Sequence, residues 1–455
     1  MNPVDLLEHA LSRTTCDDAT VIVTDSTSAN LRWANNTVTT NGVMHSVSMT
    51  VISHLGSRAA SVSGNVTTLD QARTLVEAAD AAARIAEPAE DAAELVAGAQ
   101  SADFDTPATG TDITVYADVA PKLGEAFARA GSAGRVLYGF VDHDVETTWL
   151  GNTRGTRLRH AQPTGHFACT AKTRDLSRSA WVGAATDDFT DIDPLRFDAE
   201  LERRLSWAER TVDLAAGRYD TIMPGTSVAD LMIYAYWLAS ARDAMDGQSL
   251  YSSRTHGTRI GERVAPESVT LFSDPTAKGL GCAPFVIAPV SSSESSVFDN
   301  GLPIGCTDWI KSGTLTSLIQ TRHTAAESSQ PFTPATDNLV LDASGAGTID
   351  DLVAGMDDGL LLTCLWYIRV VDPQTMLLTG LTRDGVYQVR GGEIVGAVNN
   401  FRWNESPIDL LNRFSAASST QRSFSREWGD DYFNRSAMPA LRVPDFNMSS
   451  VSQAQ

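Results

Sequence analysis

The sequence predicts an α+β protein: an N-terminal mixed α/β domain over residues 1–216, then a β-rich C-terminal domain with antiparallel sheets over residues 217–455. Three observations lead there. Near the N-terminus a helix, several alternating strands and a second helix follow one another, an order that suits antiparallel pairing better than βαβ crossovers. A strongly apolar helix follows a short strand just beyond Gly217. The last part of the chain is then dominated by strand-like runs. At 455 residues the chain has room for two or three domains of roughly 150 residues.

Residues 4–11 read as an amphipathic helix. Residues 20–25 and 30–38 read as two strands, with a turn at Asn35 and Asn36. The alternation of Val43, Val47, Met49 and Val51 marks residues 42–55 as a strand, and 59–62 follow as another. Ala and Leu at helical spacing make 69–85 a helix that ends before Pro88. Residues 103–112 form a loop and 123–130 a short helix. Between 134 and 183 the pattern returns to strands, with a turn expected around Pro163 and Gly165. Leu201, Leu205, Ala208 and Val212 share one stripe of a helix expected over 197–215. A strand at 219–223 and a Pro224-Gly225 turn lead into the most apolar helix, with Ser227 expected as its N-cap and Asp230 as the capping-box partner. Its body, VADLMIYAYWLASA, is apolar nearly all round, so it is expected inside a domain with Trp237 in the core. Residues 291–296 make a polar loop. Strands are expected over 359–371, 385–390 and 393–402.

Lys and Arg number 35 against 56 Asp and Glu, a net charge of -21. Such a chain repels phosphate backbones, and nucleic-acid binding is not expected. The grouping of Arg154, Arg157 and Arg159 fits a solvated strand face. Cysteines at 16, 169, 282, 306 and 364 are odd in number and lack CxxC spacing, which is neither a disulfide framework nor a structural zinc site. The first residues have no cationic head with an apolar block, and no run reaches the roughly 20 apolar residues of a membrane span. A cytoplasmic protein is expected.

No HExxH, GxSxG, GxGxxG or GxxxxGK[ST] pattern occurs. His45 and His54, nine residues apart, point to opposite faces of a regular strand. Asp142, His143 and Asp144 alternate across a strand and cannot all reach one ion. His160, His166 and Cys169 converge only loosely, across the expected turn. His256 reads as a loop residue. Cys364 sits among large apolar neighbours with nothing to lower its pKa. Cys282 and Cys306 have no neighbouring histidine, and Glu294 has no acid/base companion. The residues therefore assign no catalytic, cofactor-binding or metal site to this chain.

Three segments carry a resemblance: ANLRWANNTVTTNG, GRYDTIMPGTSVADLM, and the long stretch from DDGLLLTCLWYIRVVDP through LTGLTRDG and GEI to NFRWNES. Together they resemble the TldD/PmbA family, the modulators of DNA gyrase, from about Leu6 to the C-terminus. The resemblance implies an N-terminal α/β domain joined to a β-dominated one, and a cytoplasmic metalloprotease built from two kinds of subunit. One kind carries HExxxH on the helix after the GxYxVVLxP-like strand, with a cysteine further on. The other lacks these ligands. Here that helix reads Leu231, Met232, Ile233, Tyr234, Ala235, Tyr236 and Trp237, which points to the second, TldE/PmbA-type branch. The implied partner is a TldD-like subunit that carries the zinc, with peptides or unfolded proteins as substrate and a homodimer forming when the chain is alone. Arg383, Asn399, Arg402, Asn404 and Glu405 are implied as channel or partner contacts. Arg383 and Arg402 pair either with peptide carboxylates or with internal acids. Two alternatives stay open: a homodimeric peptide-binding scaffold, and a self-sufficient metallopeptidase with an unrecognised site.

Overall fold

Asn35 and Asn36 both adopt left-handed backbone, with φ of 51° and 61°, a conformation Asn tolerates better than other non-glycine residues. That turn reverses the chain between β1 (Asp18–Ala34) and β2 (Thr37–Leu55). The computed structural model describes residues 2–429, 433 and 435–452. In it β1 is one long strand, where the sequence predicts two, and it pairs with β2 from Asp18↔His54 to Ala34↔Thr37. With β3 (Arg58–Asn65), β4 (Arg135–Asn152), β5 (Arg157–Thr173) and β6 (Ser179–Thr186) it forms a sheet of order β3-β2-β1-β4-β5-β6, antiparallel throughout.

Four helices pack on this sheet: α1 (Pro3–Leu11), α2 (Leu69–Ile85), α3 (Val119–Ser132) and α4 (Pro194–Trp207). A capping box between Thr68 and Gln71 starts α2, satisfying two backbone donors that have no acceptor within the helix. Leu6, Leu7, Val76 and Trp149 centre one apolar cluster and Trp33, Leu123, Phe167 and Leu201 another.

Two further expectations in this half are corrected. No turn occurs at Pro163, because β5 runs straight through it. β6 pairs with β5 only from Gly165 onward, so Pro163 lies where β5 has β4 alone as neighbour. A missing N–H costs no ladder bond there. The helix expected over 197–215 ends at Trp207, and its last predicted stripe residue, Val212, lies in the short strand β7 (Thr211–Val212).

β7 already belongs to the C-terminal sheet. The other strands are β8 (Gly217–Met223), β9 (Asp358–Leu362), β10 (Leu365–Asp372), β11 (Leu377–Thr382), β12 (Val386–Arg390), β13 (Glu393–Val398), β14 (Phe401–Glu405) and β15 (Leu441–Val451). They are ordered β10-β11-β14-β15-β8-β9-β12-β13-β7, with Ala416–Ala417 added beside β15. A six-stranded sheet built around Thr270–Ser273 and Leu339–Asp342 forms the other layer. Helix α5 (Gly225–Trp237) packs between the two. Leu231, Met232, Ile233 and Tyr236 share one core with Leu271 and Leu339 on one side and Leu360, Phe401, Trp403 and Phe446 on the other.

Ser227 does not cap α5. The helix begins at Gly225 after Pro224, and the Ser227 hydroxyl donates toward the Leu362 carbonyl at 3.4 Å. Trp237 is not a core residue either, since at the helix end it keeps 37% of its surface exposed. The anchor is its neighbour Tyr236, 1% exposed, whose hydroxyl donates to the Thr336 carbonyl and accepts from the Thr336 N–H. Tyr236→Ala is expected to cost about 3–5 kcal/mol and Trp237→Ala about a third of that. Denaturant unfolding of the two variants checks the order; equal losses would mean that Trp237 is buried in solution. No helix among the described residues is long and apolar enough to cross a membrane.

Candidate functional site

From Leu231 to Trp237, α5 offers no imidazole, carboxylate or thiol. Its one carboxylate, Asp230, is 1% exposed. Oδ1 accepts from the Ser425 hydroxyl at 2.8 Å and from the Glu427 N–H at 2.9 Å. The Asp230 carbonyl accepts from Trp428 Nε1 at 2.8 Å. Burial pushes the Asp230 carboxyl up to about 7, the two hydrogen bonds opposing it and the Glu427 charge adding to it. Asp230 thus fastens residues 425–428 onto the helix.

That segment carries an arginine–aromatic stack. The Arg426 guanidinium lies over Trp366, with Trp181 5.5 Å away, and Arg383 covers Trp366 at 5.2 Å. Phe424 stacks on His166 of β5. Glu427 accepts from the Ile368 N–H at 2.9 Å and lies 3.7 Å from Arg369. The stack therefore ties the N-terminal sheet to β10. Arg383 is 3.6 Å from Asp384, and Asp384 in turn accepts from the Ser179 hydroxyl on β6.

Arg402 and Asn404 share one face of β14 and converge on Thr379 of β11. Arg402 donates to the Thr379 hydroxyl at 3.3 Å, and that hydroxyl lies 2.9 Å from Asn404 Oδ1. Glu405 points to the opposite face, buried, accepting from Arg413 and from the Asn447 N–H. Asn399 accepts from the Leu214 N–H at 2.7 Å. Of the five residues named from the sequence, the structure brings Arg402 and Asn404 together. Arg383 stands apart in the aromatic stack, Asn399 braces the strand-entry segment at Leu214, and Glu405 lies beneath the sheet.

Sequence reasoning missed the sheet edge. β10 is the terminal strand of its sheet, and Tyr367, Val370 and Val371 are 53%, 41% and 54% exposed there. Trp237 is the exposed aromatic at the end of α5. An edge strand with apolar side chains is a ready surface for another chain. Nothing in the run RVVD distinguishes an edge from a central strand.

The remaining candidates are spread out. His143 bonds Thr111 and the Asp187 carbonyl, and Asp142 on the other face approaches His166. His160 and His166 share a face of β5 but stand six residues apart, about 20 Å along an extended strand. Cys169 points to the opposite face. His45 pairs with Asp25 at 2.9 Å, and His54 is buried. His256 lies in an exposed turn. Burial pushes Cys282 up to about 12 and raises the Cys364 thiol, while Cys306 is exposed. Glu294 is pushed up to about 7 by burial and by the Asp243 charge. Arg154, Arg157 and Arg159 are each ion-paired, with Asp18, Glu8 and Asp103. No group of three or more His, Cys, Asp or Glu among the described residues could hold a metal ion. A zinc site needs about three such donors, so these residues do not fit one.

Residues 216–450 match the family model of the PmbA/TldA metallopeptidase C-terminal domain, and residues 19–86 that of PmbA/TldA metallopeptidase domain 1. Among solved structures, TldE from Thermococcus kodakarensis superposes with a TM-score of 0.77 at 15% identity, covering 98% of this chain and 99% of that one. A proposed modulator of DNA gyrase from Thermotoga maritima gives 0.74 at 16% identity, over 94% and 95%. A second one, from Bacteroides thetaiotaomicron, gives 0.77 at 14%, over 99% and 98%. At these identities the likeness is one of fold. No curated protein matches the chain significantly.

Proposed function

The chain belongs to the PmbA/TldD metallopeptidase family, and from that premise we propose that it is a non-catalytic, TldE/PmbA-type subunit of a cytoplasmic metalloprotease complex. Its partner is a TldD-like subunit that carries HExxxH and the zinc, and the complex cleaves peptides and unfolded proteins. One observation carries the reading. The helix on which a catalytic relative would place its ligands is filled here with buried apolar side chains, and its only carboxylate is engaged in holding residues 425–428. Zinc-assisted hydrolysis needs an ion with an open position and a base to activate its water, and α5 supplies neither. The chain's contribution is then wall and charge. The apolar edge of β10 meets the partner or an extended peptide, and the Arg402–Asn404 face offers polar contacts. Alone, the chain pairs with itself.

The test is co-expression with the nearest HExxxH relative, followed by size-exclusion chromatography with light scattering, metal analysis and a casein cleavage assay. Expected are a co-eluting complex with cleavage, and a chain that alone holds no stoichiometric zinc and leaves casein intact. Zinc at one per chain in the lone protein would overturn the reading. So would a relative whose cleavage is indifferent to this chain.

A further inference from the structure

A wide groove lies away from the β10 edge and the Arg402–Asn404 face. It is an open groove of about 580 Å³ between β6 and α4 on one side and the start of α5 with residues 418–424 on the other. Three guanidinium groups line it, Arg196, Arg204 and Arg422, against one carboxylate, Asp191. Just outside the lining, Glu200 pairs with Arg204 and Asp187 with Arg422, which leaves Arg196 as the unpaired cation of the groove among the described residues.

Most of the donors in the groove are unengaged among the described residues. Arg204 donates through Nε to Glu200 and through Nη1 to the Trp181 carbonyl, both at 2.7 Å, which fixes the group and leaves Nη2 free. Arg422 donates through Nη2 to Asp187 at 2.7 Å, which leaves Nη1 as its spare donor, since Nε is buried away from the groove. Arg196 is exposed and makes no side-chain hydrogen bond or ion pair. Asp191 is already engaged, accepting from the Thr186 hydroxyl at 2.5 Å. The Thr226 hydroxyl and the Gln421 amide line the same wall without a partner. Gly225 and Thr226 open the 13-residue helix α5, which has no side-chain cap, so its first N–H groups add partial positive charge on that side.

We propose that this groove binds an oxyanion, either the carboxylate terminus of a peptide or a phosphate group. Arg422 and Arg196 supply the new charge-assisted bonds and Arg204 a fixed third cation. Planar guanidinium groups with spare N–H donors suit both ligands, because carboxylate and phosphate each accept parallel bonds from them.

Titration calorimetry on the purified chain at low salt tests it, with three probes: inorganic phosphate, a short unstructured peptide with a free C-terminus, and the same peptide amidated. Saturable binding of the free-terminus peptide but not the amidated one identifies a terminal carboxylate; saturable binding of phosphate identifies the phosphate source. In either case Arg196→Gln and Arg422→Gln are each expected to weaken binding by roughly tenfold or more. Arg73→Gln, on the exposed face of α2, leaves it unchanged. Arg196 has no side-chain hydrogen bond or ion pair to lose among the described residues, so its variant is expected to fold and to isolate the binding effect. The proposal is overturned if no probe saturates by about 10 mM, or if both groove variants bind as tightly as the parent.

Discussion

Asp230→Asn is expected to make the protein more stable above neutral pH and to remove a stability loss that the parent shows between about pH 4 and pH 7. The carboxyl is pushed up to about 7 in the folded chain, chiefly by burial, against about 3.9 when unfolded. Between those values the folded state holds the proton and the unfolded state has released it. Stability therefore falls as pH rises through this window and levels off above it. Three units correspond to about 4 kcal/mol at most, an order-of-magnitude figure. Asn keeps the acceptor oxygen for the Ser425 hydroxyl and the Glu427 N–H and has no charge to desolvate. The charged groups nearest to it, Glu427 and Arg426, act in opposite directions. Asp230→Leu, in contrast, strands two buried donors and is expected to lose about 2–5 kcal/mol at every pH. Urea unfolding of the three proteins from pH 4 to pH 8 measures this. Parallel pH profiles for parent and Asp230→Asn would show that the carboxyl does not titrate in the window.

Asp230 also shows why part of the site was illegible in the sequence. Three residues after a serine and just ahead of an apolar run, it has the signature of a capping box. Its actual partners lie near residue 425, and no local pattern can announce a contact between residues so far apart. Trp237 was misread for a related reason: an all-apolar helix gives no periodic signal to say which end emerges from the core. Where local chemistry decides the outcome, sequence and structure agree. Asn35-Asn36 turns the chain because few other residues accept its φ values, and the alternation of Val47, Met49 and Val51 places Met49 and Val51 inward. The α+β architecture and the family likewise follow from patterns that are written locally. Strand adjacency is not. That β10 is an edge, and that β14 lies between β11 and β15, depends on long-range pairing that composition does not encode. The split of Arg402 and Asn404 from Glu405 needed only the two-residue period of a strand, and the sequence could have shown it.

Trp403→Ala is expected to cost about 3–5 kcal/mol, a large part of the 5–15 kcal/mol that holds a typical domain folded. Trp403 is completely buried in β14. Its ring lies against Gly380 of β11, where an added Cβ would come within 2.5 Å of it, and faces Phe446 of β15 at 6.1 Å. The side chain therefore joins three neighbouring strands to the core around α5. Truncation leaves a cavity that strands fixed by their ladders cannot collapse to fill. The indole Nε1 is buried without a hydrogen-bond partner, so Trp403→Phe sacrifices no hydrogen bond and is expected to cost only about 1–2 kcal/mol. That pair of variants separates packing from polarity. Arg402 and Asn404 flank Trp403 on the other face of the same strand, so the indole sets the floor on which those side chains stand. If their face contacts a partner, Trp403→Phe should still co-elute with the HExxxH relative, while a double change of Arg402 and Asn404 to Ala should weaken co-elution with little effect on unfolding. The midpoint of urea unfolding, read at unchanged slope, gives the first comparison. A Trp403→Ala loss below about 1 kcal/mol would mean that the layer around α5 is loose enough to repack, and the sheet would then be a poor support for a fixed contact surface.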